Sequence, residues 1–373
     1  MEIFAAVTPG LEPVVAEEIR ALAGRPVTEV PGGVCLEGSL EDAAGLVLWA
    51  RTPAHIRVRL GTVKARSLQE LEAGVRRLPW KDFVHPGQRV EVSATLKGAR
   101  FRRADAAAGK VAQAAAAALK GPRLSHRRPP PPQGVQVRIV GNEATISLNA
   151  GGEALHRRGY RKATAKAPIR ENLGASLLLA AGWVPGAPLA DPMCGAGTFS
   201  IEAALMARDR APGRDRVPPV VHWPSFPKGS WETLRREARK GGQRVPTSIF
   251  TSDRDPGAVR ATRENAKRAG VLDDLRLTRA DLTERREARP EEGPPGLVIL
   301  NPPYGVRVAD QQKLHGLYRR LGQGLAARYP GWRLAALATD NALAGRLLPR
   351  MESLLHFRNG GIALSLYVGE LPV

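Results

Sequence analysis

The second half of the chain contains four short apolar runs, 189–191, 248–252, 275–280 and 296–300, that read as strands. Each ends on, or runs directly into, a small polar side chain: Asp191, Asp253, Asp281 and Asn301. Helical spacing fills 199–207, 256–269 and 314–328 around them. Strands that alternate with helices need crossover connections, and these make a mostly parallel sheet covered on both faces. A further run at 333–339 and a hairpin, 354–358 and 362–368 around Asn359-Gly360-Gly361, complete seven strands. The expected fold is therefore α/β, a Rossmann-like doubly wound sheet closed by an antiparallel hairpin. Such a sheet gathers the carboxyl ends of its strands along one edge, where ligands bind.

The residues at that edge suit a nucleotide-like cofactor. Asp191-Pro192-Met193-Cys194-Gly195-Ala196-Gly197-Thr198 joins the first strand to its helix. Gly195 and Gly197 permit a tight turn and close backbone approach to a ligand. Asp191 can orient the cofactor's amino-acid end, and Met193 and Thr198 flank it. Asp253, with Arg254 beside it, can take both ribose hydroxyls. In dinucleotide folds this acid lies about 20 residues after the glycines; here the gap is nearly 60. An insertion at 208–245, rich in Pro, Trp and Arg, accounts for the excess. Asp255 reads as a helix N-cap, because Pro256 follows it. Asp281 can accept from an adenine amino group.

Asn301-Pro302-Pro303-Tyr304 is the most specific element of the chain. An amine conjugated to a purine is a poor nucleophile, because its lone pair is delocalised. The Asn301 side-chain oxygen and the Pro302 carbonyl can accept its two N–H bonds, aim the lone pair at a methyl donor and steady the developing positive charge. Pro302 and Pro303 fix the backbone, and Tyr304 can stack on the base. The motifs together predict an S-adenosylmethionine-dependent methyltransferase acting on an exocyclic amine.

The first half reads as α+β. Strands are expected at 2–8, 34–36, 56–65, 87–97, 135–140 and 144–148, with helices at 13–23, 68–78 and 106–119. Charge divides this half. Residues 1–50 carry two basic and eight acidic side chains, whereas 97–170 carry sixteen basic and three acidic. The whole chain has a net charge of +20, which favours a polyanionic partner, nucleic acid above all. Arg100, Arg102, Arg103, Lys110, Arg127, Arg128, Arg157, Arg158 and Arg161 are the candidate RNA contacts. Cys35 and Cys194 stand alone, so no disulfide framework or metal ligand set is expected, and a reducing cytoplasm fits. No run reaches the roughly 18 apolar residues of a membrane span. A monomer is expected. His222, Trp223, Trp231 and His315 are read as packing residues.

These motifs, with Phe4-Ala-Ala-Val-Thr-Pro-Gly-Leu11, Leu155-His-Arg-Arg-Gly-Tyr-Arg161, 167–173, 201–207 and Ala211-Pro-Gly213, resemble the THUMP-containing class I RNA guanine-N2 methyltransferases. The bacterial enzymes that act on large-subunit (23S) rRNA are the nearest in pattern. The resemblance covers essentially the whole chain. It implies a ferredoxin-like unit at 1–55, a THUMP RNA-binding domain at 56–155, a linker at 156–167 and a methyltransferase domain at 168–373. It also implies cofactor roles for Asp191, Gly195, Gly197, Asp253 and Asp281, and catalytic roles for Asn301 to Tyr304. Transfer RNA guanine-N2 methyltransferases share the layout. An adenine-N6 methyltransferase, an enzyme acting on a protein glutamine amide and a non-catalytic assembly factor are the other readings.

Overall fold

A computed structural model of the chain describes residues 1–121, 130–162, 169–240, 242, 244–284, 294–304 and 311–373. They cluster into two compact units, the first comprising 1–7, 16–155 and 213–239, the second 8–15, 156–212 and 240–373.

The first unit is built on one seven-stranded sheet. Its strands are β1 (Glu2–Ala6), β2 (Thr28–Val30), β3 (Gly33–Glu37), β4 (His55–Lys64), β5 (Val90–Lys97), β6 (Gln133–Val140) and β7 (Glu143–Asn149), in the order β2-β3-β1-β4-β7-β6-β5. Alternate side chains, among them Ile3, Ile56, Val58, Val137, Ile139, Ile146 and Leu148, are fully buried. They form the core with helices α2 (Leu40–Trp49), α3 (Leu68–Arg76), α4 (Ala104–Ala118) and the latter part of α1 (Glu12–Ala23). Helix α2 starts in a reciprocal capping box between Ser39 and Asp42. Within this unit, Ile3–Ala6 of β1 pair antiparallel with His55–Val58 of β4.

The insertion also departs from expectation. Residues 213–239 belong to the first unit rather than to the second. The Gly213 and Val220 amides donate to Leu48 O and Ala150 O at 2.9 and 3.2 Å. Trp223 meets Phe83 edge to face at 5.4 Å, and its indole N–H donates to Gln133 Oε1 at 2.7 Å. A large ring and a buried N–H both need partners, and these are what the first unit supplies. Val245 N donates to Ala207 O at 2.8 Å, so the excursion, which includes most of α7 (Ser230–Lys240), returns to its starting point.

The second unit carries β8 (Leu189–Asp191), β9 (Ile249–Asp253), β10 (Leu275–Arg279), β11 (Leu297–Leu300), β12 (Arg333–Ala338), β13 (Glu352–Asn359) and β14 (Ile362–Glu370), ordered β10-β9-β8-β11-β12-β14-β13. All pairings are parallel except those of β14. Helices α5 (Glu171–Ala180), α6 (Thr198–Ala207), α8 (Pro256–Ala269), α9 (Gln311–Arg328) and α10 (Asn341–Leu347) accompany the sheet. Tyr318, Leu321 and Leu325 of α9 share a core with Val298, Leu300 and Leu334 of the sheet. Helix α5 begins at Glu171. The order reverses between β8 and β11, the switch point at which a crevice opens beyond the strand ends.

The segment expected to be a linker is fastened over its described part. The Tyr160 hydroxyl donates to Glu202 of α6 at 3.0 Å, Arg161 pairs with Glu171 of α5, and Arg268 Nε of α8 donates to Tyr160 O at 2.8 Å.

Replacing Trp223 by Ala empties a buried aromatic site and strands the Gln133 acceptor. A loss of about 3–5 kcal/mol is expected, read as a lowered denaturation midpoint.

Candidate cofactor and substrate site

The site begins with the turn after β8. Gly195 and Gly197 adopt φ of 55° and 83°, in the left-handed region. A Cβ on Gly197 would also come within 2.8 Å of Thr262 Cγ2, so glycine is required twice over. Neighbouring elements hold the turn by its backbone. The Gly195 amide donates to Asp253 Oδ2 at 3.0 Å. Thr262 Oγ1 donates to Gly195 O at 2.9 Å and Asn265 Nδ2 to Ala196 O at 3.0 Å. The other Asp253 oxygen accepts from the Asp255 amide at 2.9 Å. Asp255 caps α8 by accepting from Gly257 N.

Asp191 lies beneath this turn, 1% exposed. Ser200 Oγ donates to its Oδ2 at 2.9 Å, and Thr251 Oγ1 donates to Ser200 Oγ at 2.9 Å. Its Oδ1 is buried with no hydrogen-bond partner among the described residues. Burial pushes the Asp191 carboxyl up to about 7; the Ser200 hydrogen bond opposes that rise and the nearby Asp253 charge adds to it. Burial pushes Asp281 up as well. There the side-chain and backbone hydrogen bonds from Thr283, with the charges of Arg254 and Arg328, win, and the carboxyl lies below its usual range. Its Oδ1 accepts from Thr283 N at 2.8 Å and Oγ1 at 2.7 Å.

After β11 the backbone enters Asn301-Pro302-Pro303-Tyr304. The Tyr304 hydroxyl donates to Asn301 Oδ1, and the buried Tyr318 hydroxyl donates to Pro303 O at 3.3 Å. Burial raises the Tyr304 phenol well above its usual value, so it remains a donor at neutral pH. One hollow touches the ends of all four strands: Pro192 and Met193, Asp253 and Arg254, Asp281, and Pro303 line it. Of the residues named from sequence, Met193, Asp253, Arg254, Asp281 and Pro303 line this hollow, whereas Asp191, Gly195, Gly197, Thr198, Asn301, Pro302 and Tyr304 are not among its lining residues. The Thr198 side chain is buried and its hydroxyl donates to Ile169 O at 3.3 Å, away from the hollow's lining.

The candidate RNA contacts separate into classes. Arg100, Arg102 and Arg157 are exposed. Arg103 is exposed and pairs with Asp105 at 2.6 Å; Lys110 pairs with Glu72 at 2.8 Å. Arg127 and Arg128 lie outside the described residues. Arg158 and Arg161 must be corrected. The Arg158 side chain is 3% exposed, 3.7 Å from the fully buried Glu202, and Arg161 grips Glu171. A buried carboxylate needs a counter-charge, and these two arginines supply it instead of meeting phosphate.

Sequence reading missed Thr262, Asn265, Ser200 and Tyr318. A signal existed for the first two: they lie on the same helix face as the buried Ala258, Ala261, Ala266 and Ala269. Polar side chains on a buried stripe need partners, and theirs are the carbonyls of the glycine turn.

A family model described as UPF0020, RMKL-like methyltransferase domain, matches residues 158–366. The chain belongs to this family. A second model, described as RlmL ferredoxin-like domain, matches residues 2–57. Among curated relatives, the Ribosomal RNA large subunit methyltransferase K/L of Syntrophotalea carbinolica is 36% identical over 97% of this chain and 52% of its own length. The chain therefore spans about half the length of the curated relatives it matches. Among solved structures, SMU.472, described as a candidate methyltransferase and solved in complex with SAH, is 27% identical with a TM-score of 0.88, over 98% of this chain and 97% of that one. A Listeria monocytogenes protein described as a predicted N6-adenine-specific DNA methylase is 28% identical with a TM-score of 0.86, over 98% and 95%.

The raised Asp191 carboxyl has a thermodynamic signature. The native group keeps its proton up to about pH 7, the unfolded group only to about pH 4. Between these values the native chain binds more protons, so stability falls as pH rises, by up to about 1.4 kcal/mol per pH unit. Denaturant melts between pH 4 and pH 8 should show the decline in the wild type and lose it in Asp191→Asn.

Proposed function

We propose that the chain transfers a methyl group from S-adenosylmethionine to the N2 amine of a guanine in large-subunit ribosomal RNA. The observation that carries this reading is the single hollow in which Met193, Asp253, Asp281 and Pro303 meet. Met193, Asp253 and Asp281 beside Pro303 support reading a cofactor crevice that adjoins the Asn301–Tyr304 turn. The relatives named for large-subunit rRNA and the neighbour solved with SAH support the substrate and the cofactor.

The residues fit this cofactor. The unpartnered, buried Asp191 Oδ1 calls for a cationic donor, such as the ammonium of an amino-acid moiety. Asp253 is the candidate for the ribose hydroxyls and Asp281 for the adenine amine. S-adenosylmethionine would supply a methyl on a sulfonium and leave as the neutral thioether S-adenosylhomocysteine, and the cationic product amine is acidic enough to release its proton to solvent without a dedicated general base. Asn301 Oδ1 and the Pro302 carbonyl would then accept the two N–H groups of the target amine, localise its lone pair and disperse the charge that develops there. Tyr304, whose hydroxyl donates to the Asn301 oxygen in this structure, is the candidate for stacking on the base. Tyr318 keeps the Pro303 carbonyl in place. Residues 56–155 are assigned a THUMP-like RNA-binding role, acting in the cytoplasm where ribosomal RNA is found.

Adenine-N6 is the second reading, since adenine presents the same conjugated amine and the Listeria neighbour is described in those terms. Incubation with tritiated S-adenosylmethionine and separate unmodified rRNA and tRNA pools, followed by nucleoside mass spectrometry, tests both. N2-methylguanosine in rRNA is expected. N6-methyladenosine would move the target base, label in tRNA alone would move the substrate, and no label in either would overturn the proposal. Asn301→Ala should lower kcat by about 100-fold or more and leave cofactor affinity within a few-fold.

A further inference from the structure

The face of the first unit's sheet that carries Arg57 and Arg59 bears a feature that a solvated surface does not need. On β4, Arg57 and Arg59 point to this face while Ile56 and Val58 point to the core. A register shift between Arg59 and Gly61 then reverses the alternation, which keeps Thr62 and Lys64 on the same side, opposite Thr145 and Glu143 of β7. Register continues the surface across the sheet: Ser147 faces Gln136, and Thr145 faces Arg138. Phe4 of β1 lies beside Arg57. A hollow of about 470 Å³ opens here, with Phe4, Arg57, Arg59, Gln136, Arg138 and Ser147 in its lining.

The cations of this face are not equivalent. Arg59 pairs with Glu2 at 2.7 Å, and Arg138 donates to Pro31 O at 2.9 Å. Glu143 sits opposite Lys64. Arg57 has no carboxylate partner among the described residues; its recorded contact is the Phe4 ring, with Cζ 6.0 Å from the centroid. Arg59 covers the same ring at 5.2 Å. Arg57 is also largely withdrawn from water, and this desolvation depresses its pKa. A guanidinium keeps its proton in proteins, so the fold bears an uncompensated, half-buried charge. An open sheet face needs only polar side chains. An unpaired guanidinium held over an aromatic ring, beside hydroxyl and amide groups, matches a ligand that is both anionic and planar.

We propose that this face docks an unpaired stretch of the RNA substrate, with Arg57 as its anchor. The guanidinium edge takes phosphate oxygens, its outer plane takes a base, and Gln136 and Ser147 reach the ribose or base edges. The assignment rests on RNA being the substrate, and it locates RNA contacts on β1, β4, β6 and β7, outside the set of basic residues picked out by sequence.

The test uses the full chain, fluorescence anisotropy and two probes: a labelled 12-nucleotide oligouridylate and an in vitro transcript of large-subunit rRNA, each titrated over a range of KCl concentrations. Arg57→Met, which keeps much of the side chain's length, should weaken binding to both about 10-fold and reduce the log–log salt slope by about one. Thr145→Glu should weaken binding and Thr145→Lys should tighten it, without touching Arg57; this pair carries the test if Arg57→Met fails to fold. KM for RNA should rise in the weakened variants, with kcat at saturating RNA and S-adenosylmethionine affinity unchanged. Wild-type affinity and slope in the folded variants would overturn the proposal while leaving the RNA reading intact. A wild-type chain that binds neither probe would overturn the RNA reading, and this face with it.

Discussion

The hydrogen bond from the Gly195 amide to the Asp253 carboxylate is the constraint on which the rest of the site depends. It ties the turn after β8 to the end of β9. A turn with two left-handed glycines has no conformational preference of its own strong enough to hold one shape. Thr262 and Asn265 complete the clamp on the next two carbonyls. The consequence reaches past the turn. Asp253 already has one oxygen on Gly195 N and the other on Asp255 N, so its carboxylate is aimed before any ligand arrives. Preorganised groups of this kind need no reorganisation when the ligand binds.

Buried charge does a parallel task on the other side of α6. Glu202 has no exposure and would be costly in isolation. The chain brings Tyr160 and Arg158 to it and Arg161 to Glu171, while the Lys162 amide lies 3.3 Å from Asn265 Oδ1. Asn265 also holds Ala196 O. The connector before α5 and the glycine turn are therefore joined through one amide side chain. A short basic sequence that looks like a polyanion-binding run is here a structural strap.

This explains what was legible from sequence and what was not. Period and polar strand ends marked the strands and helices of the second unit nearly to the residue, as at strand 189–191 and helix 256–269. Those signals are local: they depend on neighbours a few positions apart. The glycines, Asp255 and the Asn-Pro-Pro-Tyr turn were equally readable, because backbone geometry restricts the residue types allowed there. Two features were hidden because each depends on distant pairing. Residues 213–239 join the first unit through Trp223 and Gln133, 90 positions apart. Arg158 is spent on Glu202 and Arg161 on Glu171. Nothing in the composition of any one segment announces its partner.

The arginines make the same point about function. With a net charge of +20, counting basic residues favours a polyanionic partner but does not locate the contact. Of the candidates chosen by charge density, Arg103, Lys110, Arg158 and Arg161 turn out to be paired. A paired cation must surrender its carboxylate before it can take a phosphate, whereas an unpaired one gains by doing so. Arg57 stands in a segment that charge density passes over, yet its missing counter-charge and its seat over Phe4 separate it from the rest. In a basic protein the informative variable is therefore the pairing of each charge, and that is decided by the fold.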